Sequence, residues 1–169
     1  MISSLRDIPS ISKALTTSKL LGIYFASSWC PDCTPTTPMV HSLLQHVATT
    51  PQQQMQIVYI SSDNTKSELE GMVSSLKPEE ASSSSSTFTY IPFDNEEERS
   101  NVKRLFGACA GKESGKLGLI GGKRKFGIPT LAIINCETLN VITMNGLDDL
   151  LETNTNNNAA AVEKWLNSI

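Results

Sequence analysis

The chain has 169 residues, 39% hydrophobic and 18% charged, which is enough to bury a real core in one domain over 1–169 and is not the composition of a disordered segment. A formal net charge of -3 and an isoelectric point near 5.4 argue against nucleic acid or an anionic membrane surface as the main partner. No apolar run approaches the roughly 20 residues of a membrane span, and four cysteines do not make a disulfide scaffold in a chain this long. A reducing compartment, cytosol or nucleus, is the expectation.

In chain order, Pro9-Ser10 starts a short helix that runs through Leu15. Leu20 to Ala26 is apolar on nearly every residue, the pattern of a strand covered on both faces. With the small residues Ala26-Ser27-Ser28 behind it, this run imitates a secretory signal. Cleavage there would remove the strand that leads into the next motif, and the segment before it is polar, so no signal peptide is expected.

The next motif is Ser28-Trp29-Cys30-Pro31-Asp32-Cys33-Thr34. Two thiols at this spacing fall on one face of a helix's first turn, close enough to join as a disulfide, which points to thiol-disulfide exchange. Unpaired N–H groups at a helix start stabilise a thiolate, so Cys30 is expected to have a lowered pKa and to be the nucleophile. Cys33, further in, is expected to stay a thiol until Cys30 has formed a mixed disulfide, and then to resolve it. Half of a zinc site is the competing reading, but zinc needs about four ligands and the chain has neither a second Cys-x-x-Cys nor a His-x3-His. Met39, Val40, Leu43, Leu44 and Val47 carry the helix on, with Pro35 and Pro38 inside it and a kink after its first turn.

After a Gln-rich connection, Pro51 to Gln54, the pattern predicts a strand from Gln56 to Ser61. Thr65-Lys66-Ser67-Glu68 reads as a capping box, and Leu69, Met72, Val73 and Leu76 form a helical stripe ending before Pro78. Glu79 to Thr87, with five successive serines, is a low-complexity surface loop. Asp94 is the expected cap of the next helix, Glu96 to Glu98 suit its first turn, Val102, Leu105 and Phe106 face inward, and Gly107 ends it. Ala108 to Lys125 is a glycine- and lysine-rich loop, held down by Leu117, Leu119 and Ile120. Leu131 to Ile134 is then a third strand, Val141 to Met144 a fourth, and Asn145-Gly146 a turn. Beyond a polar linker, Thr153 to Asn158, residues Val162, Trp165, Leu166 and Ile169 mark a closing helix. The order of elements gives an α/β fold, a central mixed sheet with helices on both faces.

Trp-Cys-x-x-Cys with a proline, Pro38, five residues after the second cysteine resembles the signature of the thioredoxin superfamily. Tyr24-Phe25-Ala26-Ser27-Ser28-Trp29-Cys30-Pro31 and Tyr90-Ile91-Pro92-Phe93 resemble the tryparedoxin and nucleoredoxin branch. The inner pair Pro31-Asp32 departs from that branch and resembles the Trp-Cys-Pro-Asp-Cys of small cytosolic thioredoxin-related proteins that prefer low-molecular-weight disulfides. The resemblance implies a thioredoxin fold and assigns Gly127-Ile128-Pro129-Thr130 to the superfamily's cis-proline loop. A prolyl bond adopts the cis form at little cost, and the Ile128 backbone is then free to face a substrate strand. An ordinary strand-entry proline is the plainer reading. Where thioredoxins bury an aspartate six residues before the first cysteine, this chain has Tyr24, which leaves the proton acceptor of the resolving thiol unidentified. The 108–125 connection is also longer than in these relatives.

Trp29 is expected to shield the disulfide and offer substrate surface, against the alternative of a core tryptophan. Asp32 opposes a thiolate at Cys30 by its charge, takes part in proton transfer to Cys33, repels acidic substrates, or is simply a solvated first-turn acid. Cys136, at the turn after the third strand, reads as exposed, an inert surface thiol or one open to glutathionylation or to joining two chains; Cys109 reads as structural. His41 and His46 read as surface residues. The Lys112, Lys116, Lys123, Arg124 and Lys125 cluster belongs to a solvated loop or attracts an acidic partner. Together these features imply a dithiol-disulfide oxidoreductase needing no metal or flavin. Its partners are protein or small-molecule disulfides and an outside reductant: thioredoxin reductase, glutathione or another dithiol. A redox-gated binding protein, in the manner of nucleoredoxin, is the alternative, and an oxidase or isomerase the third.

Overall fold

The computed structural model describes residues 3–50, 54–78, 87–152 and 158–169. Five strands form a mixed sheet in the order β3-β2-β1-β4-β5: β1 (Leu20–Ala26), β2 (Met55–Ser61), β3 (Phe88–Tyr90), β4 (Thr130–Asn135) and β5 (Val141–Thr143). Strand β1 lies at the centre, parallel to β2 with Ala26 opposite Ser61, and antiparallel to β4 with Phe25 opposite Thr130. Among the described residues, six α-helices cover the sheet: α1 (Pro9–Thr17), α2 (Thr37–Thr49), α3 (Lys66–Leu76), α4 (Glu96–Phe106), α5 (Gly146–Glu152) and α6 (Asn158–Leu166).

The unbroken apolar run of β1 has a direct cause. Leu20, Tyr24 and Ala26 point into a core shared with α2, α3, α5 and α6, whereas Leu21, Ile23 and Phe25 point into a second core shared with α1 and α4. With both faces covered, alternation disappears, as it does in central strands generally. Helix α3 begins with the expected capping box: Thr65 Oγ1 accepts from Glu68 N at 3.2 Å and the Glu68 carboxylate accepts from Thr65 N at 3.1 Å. Helix α4 ends at Gly107, whose φ of 61° is left-handed and where a Cβ would lie 2.9 Å from the Lys123 carbonyl oxygen.

Several expectations need correction. Helix α2 starts at Thr37, so Pro35 lies outside it and Pro38 sits in its first turn, where a missing N–H costs nothing. A run of turns over 31–36, not a kinked helix, carries the cysteine motif. Asp94 does not cap α4, because the helix begins at Glu96 with Asn95 at the cap position; the Asp94 carboxylate is drawn outward to Lys66 at 3.7 Å. Leu105 is 37% exposed. The inward face of α4 is Arg99, Val102, Lys103 and Phe106, whose i, i+3, i+4, i+7 spacing passes Leu105 by.

Leu117 and Leu119 are buried with Cys109, but Ile120 is 63% exposed and holds nothing down. Strand β3 was not anticipated, being three residues on the edge of β2, and β4 and β5 are therefore the fourth and fifth strands. Gly146 opens helix α5 instead of making a turn, packed so closely on β4 that a Cβ would meet the Leu131 carbonyl at 2.9 Å. Ile169 lies beyond α6 and is exposed. Cys136 is 3% exposed, because the segment around Leu5 and Leu139 closes over it, which overturns an open surface thiol. The serine-rich stretch 79–86, residues 51–53 of the Gln-rich connection and residues 153–157 of the polar linker lie outside the described residues.

Candidate active site

Because β1 runs antiparallel to β4, the end of one strand and the start of the other meet at the same edge of the sheet, Phe25 opposite Thr130. The chain leaving β1 carries the cysteines and the chain entering β4 carries Ile128-Pro129, so the register alone brings the two motifs together. The Ile128-Pro129 peptide bond is cis. The Cys30 thiol donates to the Ile128 carbonyl oxygen at 3.8 Å, and Thr130 Oγ1 closes the loop by donating to Gly127 O at 2.9 Å.

Successive turns hold the motif. Cys30 N donates to Ser27 O at 3.4 Å, Cys33 N to Cys30 O at 3.0 Å and Thr34 N to Pro31 O at 3.3 Å. Pro31 and Asp32 are exposed, whereas Cys30 retains 6% of its surface and Cys33 none. All four cysteines are free thiols. Burial pushes the Cys33 thiol up to about 12; the nearby Cys30 and the Asp32 charge push the same way, while the Ser27 backbone hydrogen bond opposes them.

Tyr24, in the place of the aspartate, is fully buried, and burial holds its phenol up at about 12, with the cysteines adding to the rise. The Thr36 hydroxyl donates to Cys33 O at 3.0 Å. Having only one hydrogen, it must accept at its second contact, so Tyr24 OH donates to Thr36 Oγ1 at 2.9 Å. Thr37 Oγ1 donates to the same Cys33 carbonyl at 2.9 Å. Tyr24 is thus coupled to the inner cysteine through threonine hydroxyls, and as a buried protonated phenol it is a donor, not a proton acceptor.

Trp29 is 37% exposed, and its Nε1 donates to the Ser62 carbonyl at 3.0 Å. Lys112 Nζ stands 3.7 Å from the centroid of the Trp29 rings. Sequence reasoning missed the groups that anchor this side. Asp63 Oδ1 accepts from Ser28 N at 2.7 Å and from Ser28 Oγ at 2.9 Å; its Oδ2 accepts from Tyr59 OH at 2.8 Å and Ser61 Oγ at 2.6 Å. Glu113 accepts from Ser62 Oγ at 2.6 Å, from Ala110 N at 3.0 Å and from the buried Lys103 ammonium at 2.5 Å. A usable signal existed for Asp63. Parallel neighbours end at one edge, so residues just past β2 had to lie beside those just past β1.

The remaining candidates lie elsewhere or are engaged by the chain itself. Cys109 is buried, and burial raises its thiol. His41 is half-buried with Nδ1 3.3 Å from Leu76 O, and His46 is half-buried on the same helix. Of the basic cluster, Lys116 pairs with Glu96, Arg124 Nε donates to Cys109 O at 3.0 Å, and Lys112 also reaches Asn64 Oδ1 at 2.5 Å. Among the described residues, no group of three His, Cys, Asp or Glu side chains is placed to hold a metal ion. No described helix is long and apolar enough to cross a membrane.

A family model described as thioredoxin-like matches residues 18–141. A nucleoredoxin of Danio rerio is 25% identical over 131 residues, which cover 78% of this chain; the match spans about a quarter (24%) of that relative's length. Among solved structures, tryparedoxin II from C. fasciculata superposes with a TM-score of 0.60 at 16% identity, over 89% of this chain and 88% of that one. A thioredoxin from Wuchereria bancrofti superposes with a TM-score of 0.53 at 25% identity, over 94% of this chain and 87% of that one.

Proposed function

The chain belongs to the thioredoxin-like family and has the thioredoxin fold, and from that premise we propose that it is a dithiol-disulfide reductase with Cys30 as nucleophile and Cys33 as resolver. The observation that carries this reading is the pairing of a slightly accessible Cys30 Sγ, 3.8 Å from the Ile128 carbonyl, with a fully buried Cys33 one turn on. In the reaction, the Cys30 thiolate attacks one sulfur of a substrate disulfide. A Cys30–substrate bond forms, the substrate's S–S bond breaks, and the first thiolate leaves and takes up a proton. Cys33 then gives up its proton and attacks Cys30 Sγ, forming the Cys30–Cys33 disulfide and releasing the second substrate thiol. Two electrons have passed to the substrate, and an external dithiol or thiol pair, such as glutathione or a thioredoxin reductase, returns them.

The raised Cys33 pKa supports the order of events, because a buried neutral thiol does not compete for the first attack. Trp29 and Pro31 form the accessible rim, and the Ile128 backbone beside Pro129, which has no N–H to offer, receives the substrate strand. Asp32, exposed between the thiols, adds its charge to the rise of the Cys33 thiol and so helps to keep it neutral until the mixed disulfide has formed. The chemistry suits protein and small-molecule disulfides alike and calls for reducing surroundings, cytosol or nucleus.

The test replaces each cysteine in turn. Cys30→Ser is expected to abolish dithiothreitol-driven reduction of insulin or cystine. Cys33→Ser is expected to accumulate a mixed disulfide on Cys30, visible by mass spectrometry. Turnover that survives Cys30→Ser would falsify the assignment, and partners captured by a protein that never turns over would favour redox-gated binding instead.

A further inference from the structure

Beside Trp29, the turn after β2, helix α4 and the 108–125 segment enclose a cleft of about 400 Å³. Two cations lie in its wall almost without surface, Arg99 at 7% and Lys103 at 3% exposed, and the exposed Lys112 stands at its mouth. Three carboxylates also line it, and each is already engaged. Asp63 holds Ser28, Tyr59 and Ser61; Glu113 holds Lys103 and Ser62; Glu96 pairs with Lys116.

Arg99 and Lys112 have no such counter-ion. Arg99 Nη1 donates to the Pro92 and Phe93 carbonyls, and its guanidinium lies 5.1 Å from the centroid of the Phe93 ring. Among the described residues, no carboxylate oxygen lies within 4.0 Å of either cation. A guanidinium held out of water without an anion is unfavourable, and burial lowers its pKa against the pull of the carboxylates further off. Its fixed fork suits a carboxylate that arrives from outside.

The cleft also communicates with the reacting sulfur. Lys112 covers the Trp29 rings, Trp29 precedes Cys30 in the chain, and Ser62 joins Trp29 Nε1 to the Glu113 carboxylate. We propose that this cleft is the subsite for a carboxylate of a small disulfide substrate whose S–S bond lies at Cys30, with Arg99 and Lys112 as the groups that bind it. This rests on the reductase reading. It makes the 108–125 segment a specificity element, one that favours anionic low-molecular-weight disulfides over uncharged ones.

The experiment compares reduction of glutathione disulfide with that of the uncharged 2-hydroxyethyl disulfide. In Lys112→Gln and in Arg99→Gln, the ratio of kcat/KM for the charged over the neutral substrate is expected to fall about tenfold, through KM, and Lys112→Arg is expected to restore it. Added salt should lower the same ratio in the unaltered protein. An unchanged ratio in a folded Lys112→Gln overturns the proposal. Because Lys112 is exposed, that variant decides the matter even where Arg99→Gln fails to fold. Titrating glutathione disulfide against the unreactive Cys30→Ser, Cys33→Ser protein, read by tryptophan emission, separates the two readings. Salt-sensitive binding there without turnover in the parent protein defeats the reductase reading and leaves the subsite standing. Turnover in the parent with equal preference for both disulfides defeats the subsite alone.

Discussion

Cys136 lies just past β4 beneath the Leu5 segment, and burial alone pushes its thiol up to about 12. An unfolded thiol ionises near 8.5, so between that pH and about 12 the unfolded chain binds fewer protons than the folded one, and stability falls as pH rises through this window. Cys33 has the same sign and the same ceiling. In urea titrations at stepwise pH, the midpoint is therefore expected to drop above about pH 9, with a smaller drop in Cys136→Ala. Iodoacetamide should label Cys136 only after denaturation, and rapid labelling of the native protein would contradict the burial. At this scale the sequence singled out the two cysteines proposed to react, because their spacing is local. It could not name Glu113, whose partners Ser62 and Lys103 are brought to it by the folding of distant segments.

Helices α3 and α4 show how far local signals reach at the scale of elements. The α3 start was legible because a capping box is a contact within four residues, and Thr65 makes both halves of it. Helix α4 starts one residue later than its sequence suggests, with Asn95 at the cap position, so Asp94 is left exposed and forms only an ion pair with Lys66. Thr65→Ala is accordingly expected to cost about 1 kcal/mol, and Asp94→Ala less than about 0.5 kcal/mol, both read from urea unfolding. A loss at Asp94 as large as that at Thr65 would return the cap to Asp94. The buried Arg99 and Lys103 on α4 were invisible to hydrophobic patterning for the same kind of reason. Their aliphatic stems cover the core while their heads find carbonyls and Glu113.

At the scale of the molecule, helix α6 seals one core. Trp165 is 1% exposed within the α2, α3, α5 cluster, and its Nε1 donates to Asp149 Oδ2 at 2.7 Å. Trp165→Ala is expected to cost about 3–5 kcal/mol, and Trp165→Phe, which keeps most of the volume but removes the hydrogen bond, about 1–2 kcal/mol. Equal losses from the two variants would mean that the polar contact, not the packing, holds the helix. The sequence alone settled most of the alternation of strands and helices and the cysteine motif, because each is written in neighbouring residues or in a period, whereas the proline loop came from the family resemblance and the short β3 and α5 left no such signal. Only the tertiary structure decided which side chains stand around those sulfurs. The Phe25 to Thr130 register brings Ile128 to Cys30 and the parallel end of β2 brings Asp63 to Ser28, while a docked segment lays Lys112 on Trp29. Those contacts join residues far apart in the chain, and no local propensity encodes a meeting that depends on the packing of the whole.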